Sequence, residues 1–235
     1  MADTFSRVSV ILPVYNGARY LAESIRSVLD QDHSDLEVVV VDNASTDASS
    51  SVARSIAAED PRVRVLRLEQ KGVSLALNRG IADSDGEYLA FIDADDLWSR
   101  FKLERQFQAF STRGDTEAVF GRVEQFLSPE LDDETRKRLH IRDKILPGRV
   151  RGTLLIRREC FQRVGAFDES MNYGEFLDWY MRARDAGLQE VMLEDVLLKR
   201  RLHGRNMGYT ERAGRQDYVR ILKRGLDRRR ARTGK

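Results

Sequence analysis

Apolar positions along this chain follow two rhythms. Val8-Ser-Val-Ile-Leu-Pro-Val14, Leu36-Glu-Val-Val-Val-Val41, Val63-Arg-Val-Leu-Arg-Leu68 and Tyr88-Leu-Ala-Phe-Ile92 are short apolar runs, mostly rich in β-branched residues. Runs of this kind predict strands of a parallel sheet, and the near-continuous second one predicts a strand covered on both faces. Between the runs the spacing changes to that of a helix. Leu21, Ile25, Val28 and Leu29 share one face, so Ala18 to Asp30 is expected to be helical. A second helix turns Val52 and Ile56 inward after a segment, Asp42-Asn-Ala-Ser-Thr-Asp47, whose last residues can cap it. A third runs from Gly72 through Ile81. Four strands and three helices joined by short connections predict right-handed βαβ units and a mostly parallel, Rossmann-like α/β sheet. Pro13, near the exit of the first strand, is expected to end its pairing.

Beyond residue 115 the rhythm loosens. A helix carrying Phe101, Leu103, Phe107 and Phe110 leads to a longer strand at Ala118–Phe126. Ser128 to Asp143 is polar and reads as a mobile lobe. A strand at Gly152–Ile156, a short helix around Cys160, and a helix holding Leu177, Tyr180 and Met181 follow. Two short strands are then expected, at Val191–Leu193 and Val196–Leu198, and a basic helix from about Arg212. Residues 1–210 read as one domain of two halves, 1–115 and 116–210; residues 211–235 form a basic tail.

Composition changes this picture in two places. The net charge of +2 conceals an asymmetry: from Lys199 onward there are 14 Lys+Arg against 3 Asp+Glu, leaving 26 against 35 in the first 198 residues. Such a basic end can meet anionic lipid, nucleic acid or the acidic body of its own chain, or simply be the solvated face of a helix. The single cysteine, Cys160, excludes an intrachain disulfide and a cysteine-rich metal site and reads as a packed thiol. The apolar runs are too short to span a bilayer and the first residues lack a signal-peptide pattern, so a cytoplasmic protein is expected.

The candidate chemistry lies where the fourth strand stops. Asp93, Asp95 and Asp96 follow Ile92 within four positions, and a strand of a parallel sheet delivers its last residues to the edge where ligands bind. Clustered carboxylates repel one another unless a cation sits among them, and magnesium or manganese takes carboxylate oxygens with substrate phosphates completing its shell. A solvated acidic turn capping the next helix is the competing reading. Asp42 ends the second strand as Asp93 ends the fourth, so both are expected at one crevice, where Asp42 can accept from a base N–H or a ribose hydroxyl. No G-x-G-x-x-G follows strand one and no G-x-x-x-x-G-K-[ST] occurs, which argues against dinucleotide and P-loop enzymes. What remains is a nucleoside diphosphate neutralised by a cation.

Val10-Ile-Leu-Pro-Val-Tyr-Asn-Gly17, Val40-Val-Asp-Asn-Ala-Ser-Thr-Asp47, Asn78-Arg-Gly-Ile81 and Phe91-Ile-Asp-Ala-Asp-Asp96 together resemble the successive motifs of the family-2 glycosyltransferases of GT-A fold. The resemblance resumes at Arg163–Glu169, Glu175–Gly187 and Arg201–Asn206. It implies a sugar moved from a nucleotide donor, usually UDP-linked, to an acceptor hydroxyl with Mn2+ or Mg2+, generally with inversion. It places Pro13, Val14, Tyr15 and Asn16 at the nucleoside, Asp42 at the base, and Lys71, Asn78, Asp93 and Ala94 along the donor. Asp93 and Asp95 form its Asp-x-Asp, with Asp95 the foremost metal ligand, Asp96 a third, and His203 either a ligand or a loop-packing residue. His33 and His140 read as surface residues, and Trp98 and Trp179 as core or sugar-subsite residues.

An inverting transfer needs a base, which the family supplies from a Glu-Asp pair. Here the pair reads Glu175-Phe176, so the role falls to Asp178 or Glu175, three apart at a helix start, with Asp178 slightly ahead. The partners implied are a nucleotide-sugar donor, an unidentified acceptor and an anionic membrane surface touched peripherally by the basic end, without nucleic acid. Two other functions compete: a sugar nucleotidyltransferase, which should carry a glycine-rich basic loop after strand one, and a nucleotide- and metal-binding module that has lost its base.

Overall fold

The computed structural model describes residues 6–139, 141, 143–171, 173–204, 206, 221, 223–225, 227, 228 and 230. The four early strands form as their apolar runs predict: β1 (Val8–Val14), β2 (Leu36–Asn43), β3 (Val63–Leu68) and β4 (Tyr88–Phe91). They pair in parallel in the order β3-β2-β1-β4, joined by α1 (Ala18–Leu29), α2 (Ser49–Glu59) and α3 (Val73–Ala82). The chain order reverses between β1 and β4, and such a switch point opens a crevice at the carboxyl ends of the strands. Pro13 does not end β1. Pairing with β4 stops at Ile11↔Phe91, while pairing with β2 continues to Val14↔Asp42, so the missing N–H of Pro13 falls past the end of the β4 ladder.

The same sheet continues through the second half. Here β5 (Leu97–Trp98), β6 (Ala118–Leu127), β7 (Ile145–Gly148), β8 (Leu155–Arg157) and β9 (Glu190–Leu202) extend it as β4-β8-β6-β9-β5, with β7 on β6. The later helices are α4 (Lys102–Thr112), α5 (Asp133–Arg138), α6 (Arg158–Val164) and α7 (Glu175–Asp185), with a turn of 3-10 helix at Arg151–Thr153. The two short strands expected near residues 191 and 196 are one strand, β9, which runs parallel to β6 across a bulge near Arg122. The break in pattern between them falls at that irregularity. The polar segment 128–143 carries α5, and the buried Ser128 fixes its start through the Leu202 carbonyl. Most of the expected basic C-terminal helix lies outside the described residues, as does His140; the scattered residues described from 221 to 230 are helical, and Arg224 and Arg228 pair with Asp168 and Asp185 of the chain's own body.

Side-chain alternation divides the core into two layers. Val8, Val10, Leu12 and Val14 face α1, α2 and α4 through Leu21, Ile25, Ala53, Ile56, Leu103 and Phe107. Ile11, Val39, Val41 and Phe91 face α3, α6 and α7 through Leu77, Phe161 and Trp179, with Phe167 from the segment between α6 and α7. His33 is not a surface residue: it is 8% exposed, with its ring 4.9 Å from that of Phe107, and burial lowers its affinity for a proton. Trp98 and Trp179 are both core residues, and Trp179 donates its Nε1–H to the Gly165 carbonyl at 3.0 Å. Cys160 is buried, and burial, aided by Glu117, pushes its thiol up to about 11, so it is no nucleophile.

Gly80 lets α3 lie directly on the sheet. A methyl at that position would fall 2.6 Å from Ile11 Cγ2 and 3.1 Å from Val41 Cγ2. Gly80→Ala is therefore expected to destabilise the protein by about 1–3 kcal/mol through overpacking, less the small gain in helix propensity. The urea midpoint measures this, and an unchanged midpoint would contradict the close approach.

Candidate active site

The carboxyl edge of β1, β2 and β4 gathers most of the residues singled out in the sequence. Asp42, at the end of β2, is fully buried. Its Oδ1 accepts the Ser45 N–H at 2.9 Å, whereas its Oδ2 is buried without a hydrogen-bond donor and has only the Arg67 guanidinium nearby, 3.5 Å away. A buried carboxylate oxygen lacking a donor is costly, and one placed at a ligand-binding edge is poised to accept from a ligand. Arg67 reaches Asp42 because β3 pairs them in register, Asp42↔Arg67.

The turn after β1 is braced against the turn after β2. Asn16, at φ 50°, accepts the Thr46 N–H at 2.8 Å through its Oδ1, and its own N–H donates to Ser45 Oγ at 3.1 Å. Asp47 accepts from the Ser49 hydroxyl and from Ser49 N and Ala18 N, at the starts of α2 and α1, and these bonds outweigh burial to hold its carboxyl below the usual range. The bracing leaves Tyr15 44% exposed at the mouth of the crevice, with Lys71 Nζ 3.9 Å above its ring. Pro13 and Val14 are buried beneath it. Asn78 points elsewhere. Its carboxamide is spent on the Phe167 backbone and Glu169, tying α3 to the loop before α7.

The three aspartates after β4 separate. Asp93 Oδ1 accepts from the Arg151 guanidinium. Asp95 Oδ2 is shared by His203 Nε2 at 2.9 Å and Asn206 Nδ2 at 3.3 Å. Asp96 is 4% exposed, and its Oδ1 accepts the Arg201 N–H at 3.0 Å. Burial, then the Asp95 and Asp93 charges, push the Asp96 carboxyl well above the ordinary carboxylate range. Arg201 holds the arrangement from below: it is 3% exposed, donates to the Asp95 carbonyl and to Glu23, and lies between the rings of Tyr20 and Phe126 at 4.5 and 4.9 Å. Among the described residues no group of three His, Cys, Asp or Glu side chains is placed to cage a metal. Asp93 and Asp95 keep partly exposed carboxylates, 46% and 31%, which suits a hard divalent cation that takes one or two carboxylates and fills its shell with phosphate and water.

Glu175 and Asp178 share the first turn of α7 but have different surroundings. Glu175 Oε1 accepts from Arg151 Nη1 at 2.6 Å, on the same guanidinium that holds Asp93. Asp178 is 2% exposed and faces the interior, paired with Arg182 Nε at 3.0 Å, while Arg228 stands 3.9 Å away. Phe176, between them, packs on Phe120, Trp179 and Tyr180. Arg151 and Arg67 were not singled out in the sequence. Parallel register pairs Arg67 with Asp42 and was in principle legible. Arg151 meets its partners across 58 and 24 residues, and no local pattern marks it.

Several known proteins are similar to this chain. Residues 9–165 match the family described as Glycosyl transferase family 2. An uncharacterized glycosyltransferase of Rickettsia typhi is 31% identical over 209 residues, covering 83% of this chain and 64% of that protein. The chain spans less than two thirds of the length of the curated relatives it matches. Residues 1–349 of Staphylococcus aureus TarS, solved in complex with UDP-GlcNAc, superpose with a TM-score of 0.75 at 20% identity, covering 94% of this chain and 66% of that one. The mannosyltransferase PcManGT of Pyrobaculum calidifontis, solved with GDP-Man and Mn2+, gives 0.63 at 24% identity, over 98% and 65%. The architecture is therefore the GT-A fold of these transferases. With two thirds of its sequence matched in motif order and its carboxylates gathered at the β2 and β4 ends, this chain belongs to glycosyl transferase family 2.

Proposed function

We propose that this chain moves a sugar from a nucleoside diphosphate donor, UDP-linked, to an acceptor hydroxyl, with a divalent cation and with inversion at the anomeric carbon. The observation that carries the reading is the buried, donor-less Asp42 Oδ2 at the same sheet edge as the partly exposed Asp93 and Asp95. An imino N–H such as that of uracil satisfies Asp42, and Tyr15 offers its exposed ring to the base. A diphosphate then extends from β2 past β1 toward β4. The complexes of TarS with UDP-GlcNAc and of PcManGT with GDP-Man and Mn2+ support this choice of ligand and metal.

Asp93 and Asp95 would hold the cation, with His203 and Asn206 orienting Asp95 and His203 the further candidate for its shell. When bound, such a cation offsets the negative charge that builds on the departing diphosphate. The chain's own residues supply the rest. Glu175 takes the acceptor proton as the hydroxyl oxygen bonds to the anomeric carbon and the bond to the diphosphate breaks, its electrons leaving with the nucleoside diphosphate. Arg151 occupies Oε1 of Glu175, and Oε2 has no partner among the described residues. Asp178 is the weaker candidate, because it is buried against Arg182. The turn Tyr15-Asn-Gly17 is no glycine-rich basic loop, which disfavours a sugar nucleotidyltransferase.

Thermal melting with UDP-sugars and Mn2+ tests the donor site. A hundredfold excess over Kd should raise Tm by about 5–10 °C, and Asp95→Ala should abolish the Mn2+-dependent part of that rise. An undiminished rise in the variant would remove the metal site. Nucleotide release tests the chemistry: Glu175→Gln should lower kcat by about 10²–10⁴-fold while donor binding persists. Asp178→Asn should act mainly on stability, by about 1–3 kcal/mol. The opposite outcome, with rate lost only in Asp178→Asn, would exchange the two roles.

A further inference from the structure

Arg151 lies where the donor side and the acceptor side of the crevice meet. It opens the single turn of 3-10 helix at Arg151–Thr153, and its side chain is 11% exposed. One terminal nitrogen donates to Asp93 Oδ1 and the other to Glu175 Oε1, at 2.6 Å, whereas Nε is buried with no partner. Burial by itself would lower the guanidinium's proton affinity, but Asp93 and Glu175 outweigh it and hold the group above the ordinary arginine value. The planar fork is rigid, so one side chain fixes both carboxylates in a single relative geometry.

The turn that carries Arg151 is held as tightly as its side chain. Thr153 Oγ1 donates to the carbonyls of Gly148 and Val150, and its own carbonyl accepts from Gln106 Nε2 at 2.8 Å. Gln106 also donates to the Val119 carbonyl at 2.9 Å, and its Oε1 accepts from the fully buried Lys102 at 2.6 Å. A Cβ at Gly152 would meet Leu198 Cδ2 at 2.7 Å, so the turn rests directly on β9. Strands β6 and β9 and helix α4 therefore all fix the origin of the Arg151 side chain.

We propose that Arg151 is a positioning residue. It clasps the donor carboxylate Asp93 to Glu175, aims Glu175 from that joint, and places beside Asp93 a resident positive charge against which a cation must bind. The proposal rests on the reading of Glu175 as the base. It accounts for a carboxylate cluster that has no caged metal site among the described residues: Asp93 is already neutralised, and the cation gains its full set of oxygens only when a diphosphate arrives.

Two readouts test it, with folding of every variant checked by thermal melting. In the first, Mn2+ alone is titrated into the wild type, Arg151→Met, Arg151→Lys and the double variant Arg151→Met with Asp93→Asn. Arg151→Met should bind Mn2+ at least about tenfold more tightly than the wild type, because a fixed positive charge has gone from beside Asp93. Arg151→Lys should stay near the wild type, and adding Asp93→Asn should cancel the gain. Unchanged Mn2+ affinity in Arg151→Met overturns the proposal. The second readout is steady-state nucleotide release from the UDP-sugar giving the largest thermal shift. Arg151→Met should lose about 10–100-fold in kcat with little change in donor KM, and Arg151→Lys should recover part of the loss. A wild-type kcat in Arg151→Met beside an inactive Glu175→Gln overturns the proposal alone. A wild-type kcat in Glu175→Gln overturns the reading of Glu175 and the proposal with it.

Discussion

Three like charges delivered by one strand end are the constraint around which this crevice is built. Asp93, Asp95 and Asp96 cannot all be desolvated together as bare carboxylates, since mutual repulsion and burial both oppose their ionisation. The fold separates them. Asp93 turns to Arg151, Asp95 to His203 and Asn206, and Asp96 inward to the Arg201 backbone with its proton affinity raised. Each partner comes from the second half of the chain, so the parallel half supplies the acids and the later strands supply the groups that make them tolerable. Arg201 joins the two halves physically, reaching Asp95, Glu23 and the Tyr20 ring from β9.

A second consequence concerns readiness. A site with its charges already matched is stable without ligand, and binding must then exchange one set of partners for another. Asp42 is the exception, because one of its oxygens is left without a donor at the carboxyl end of β2. At this sheet edge one oxygen of Asp42 is thus unsatisfied, whereas Asp93, Asp95 and Asp96 each have a partner from the chain itself. Under the proposed function, such a division favours the base as the first anchor, with the phosphates and cation completing the site afterwards.

Much of the first half was legible because its physics is local. Continuous β-branched runs such as Val38–Val41 read as doubly covered strands, and their order places Asp42 and Asp93 at one sheet edge. The second half resisted for equally physical reasons. Strand β9 alternates buried leucines with Glu194, Asp195, Lys199 and Arg200 across a bulge, so its period breaks and it reads as two pieces. Strand β5 has two residues and exists only because β9 pairs with it. His33 sits among Asp30, Asp32 and Asp35 in sequence, yet it packs on Phe107 from a helix that arrives later. At the site, the acids were visible as residue types at a strand end, while the choice between Glu175 and Asp178 turned on Arg151 and Arg182, and the contact with Arg151 is made only by tertiary packing.

The central claim is that Asp42 and the Asp93–Asp95 pair are two ends of one nucleotide site. It is tested most directly by a crystal structure with UDP and Mn2+, with manganese located from its anomalous signal. The account predicts a manganese peak bonded to a carboxylate oxygen of Asp93 or Asp95 and to the diphosphate, with the uracil imino N–H on Asp42 Oδ2. A peak remote from these aspartates, or a uracil that leaves Asp42 Oδ2 without a donor, would contradict it.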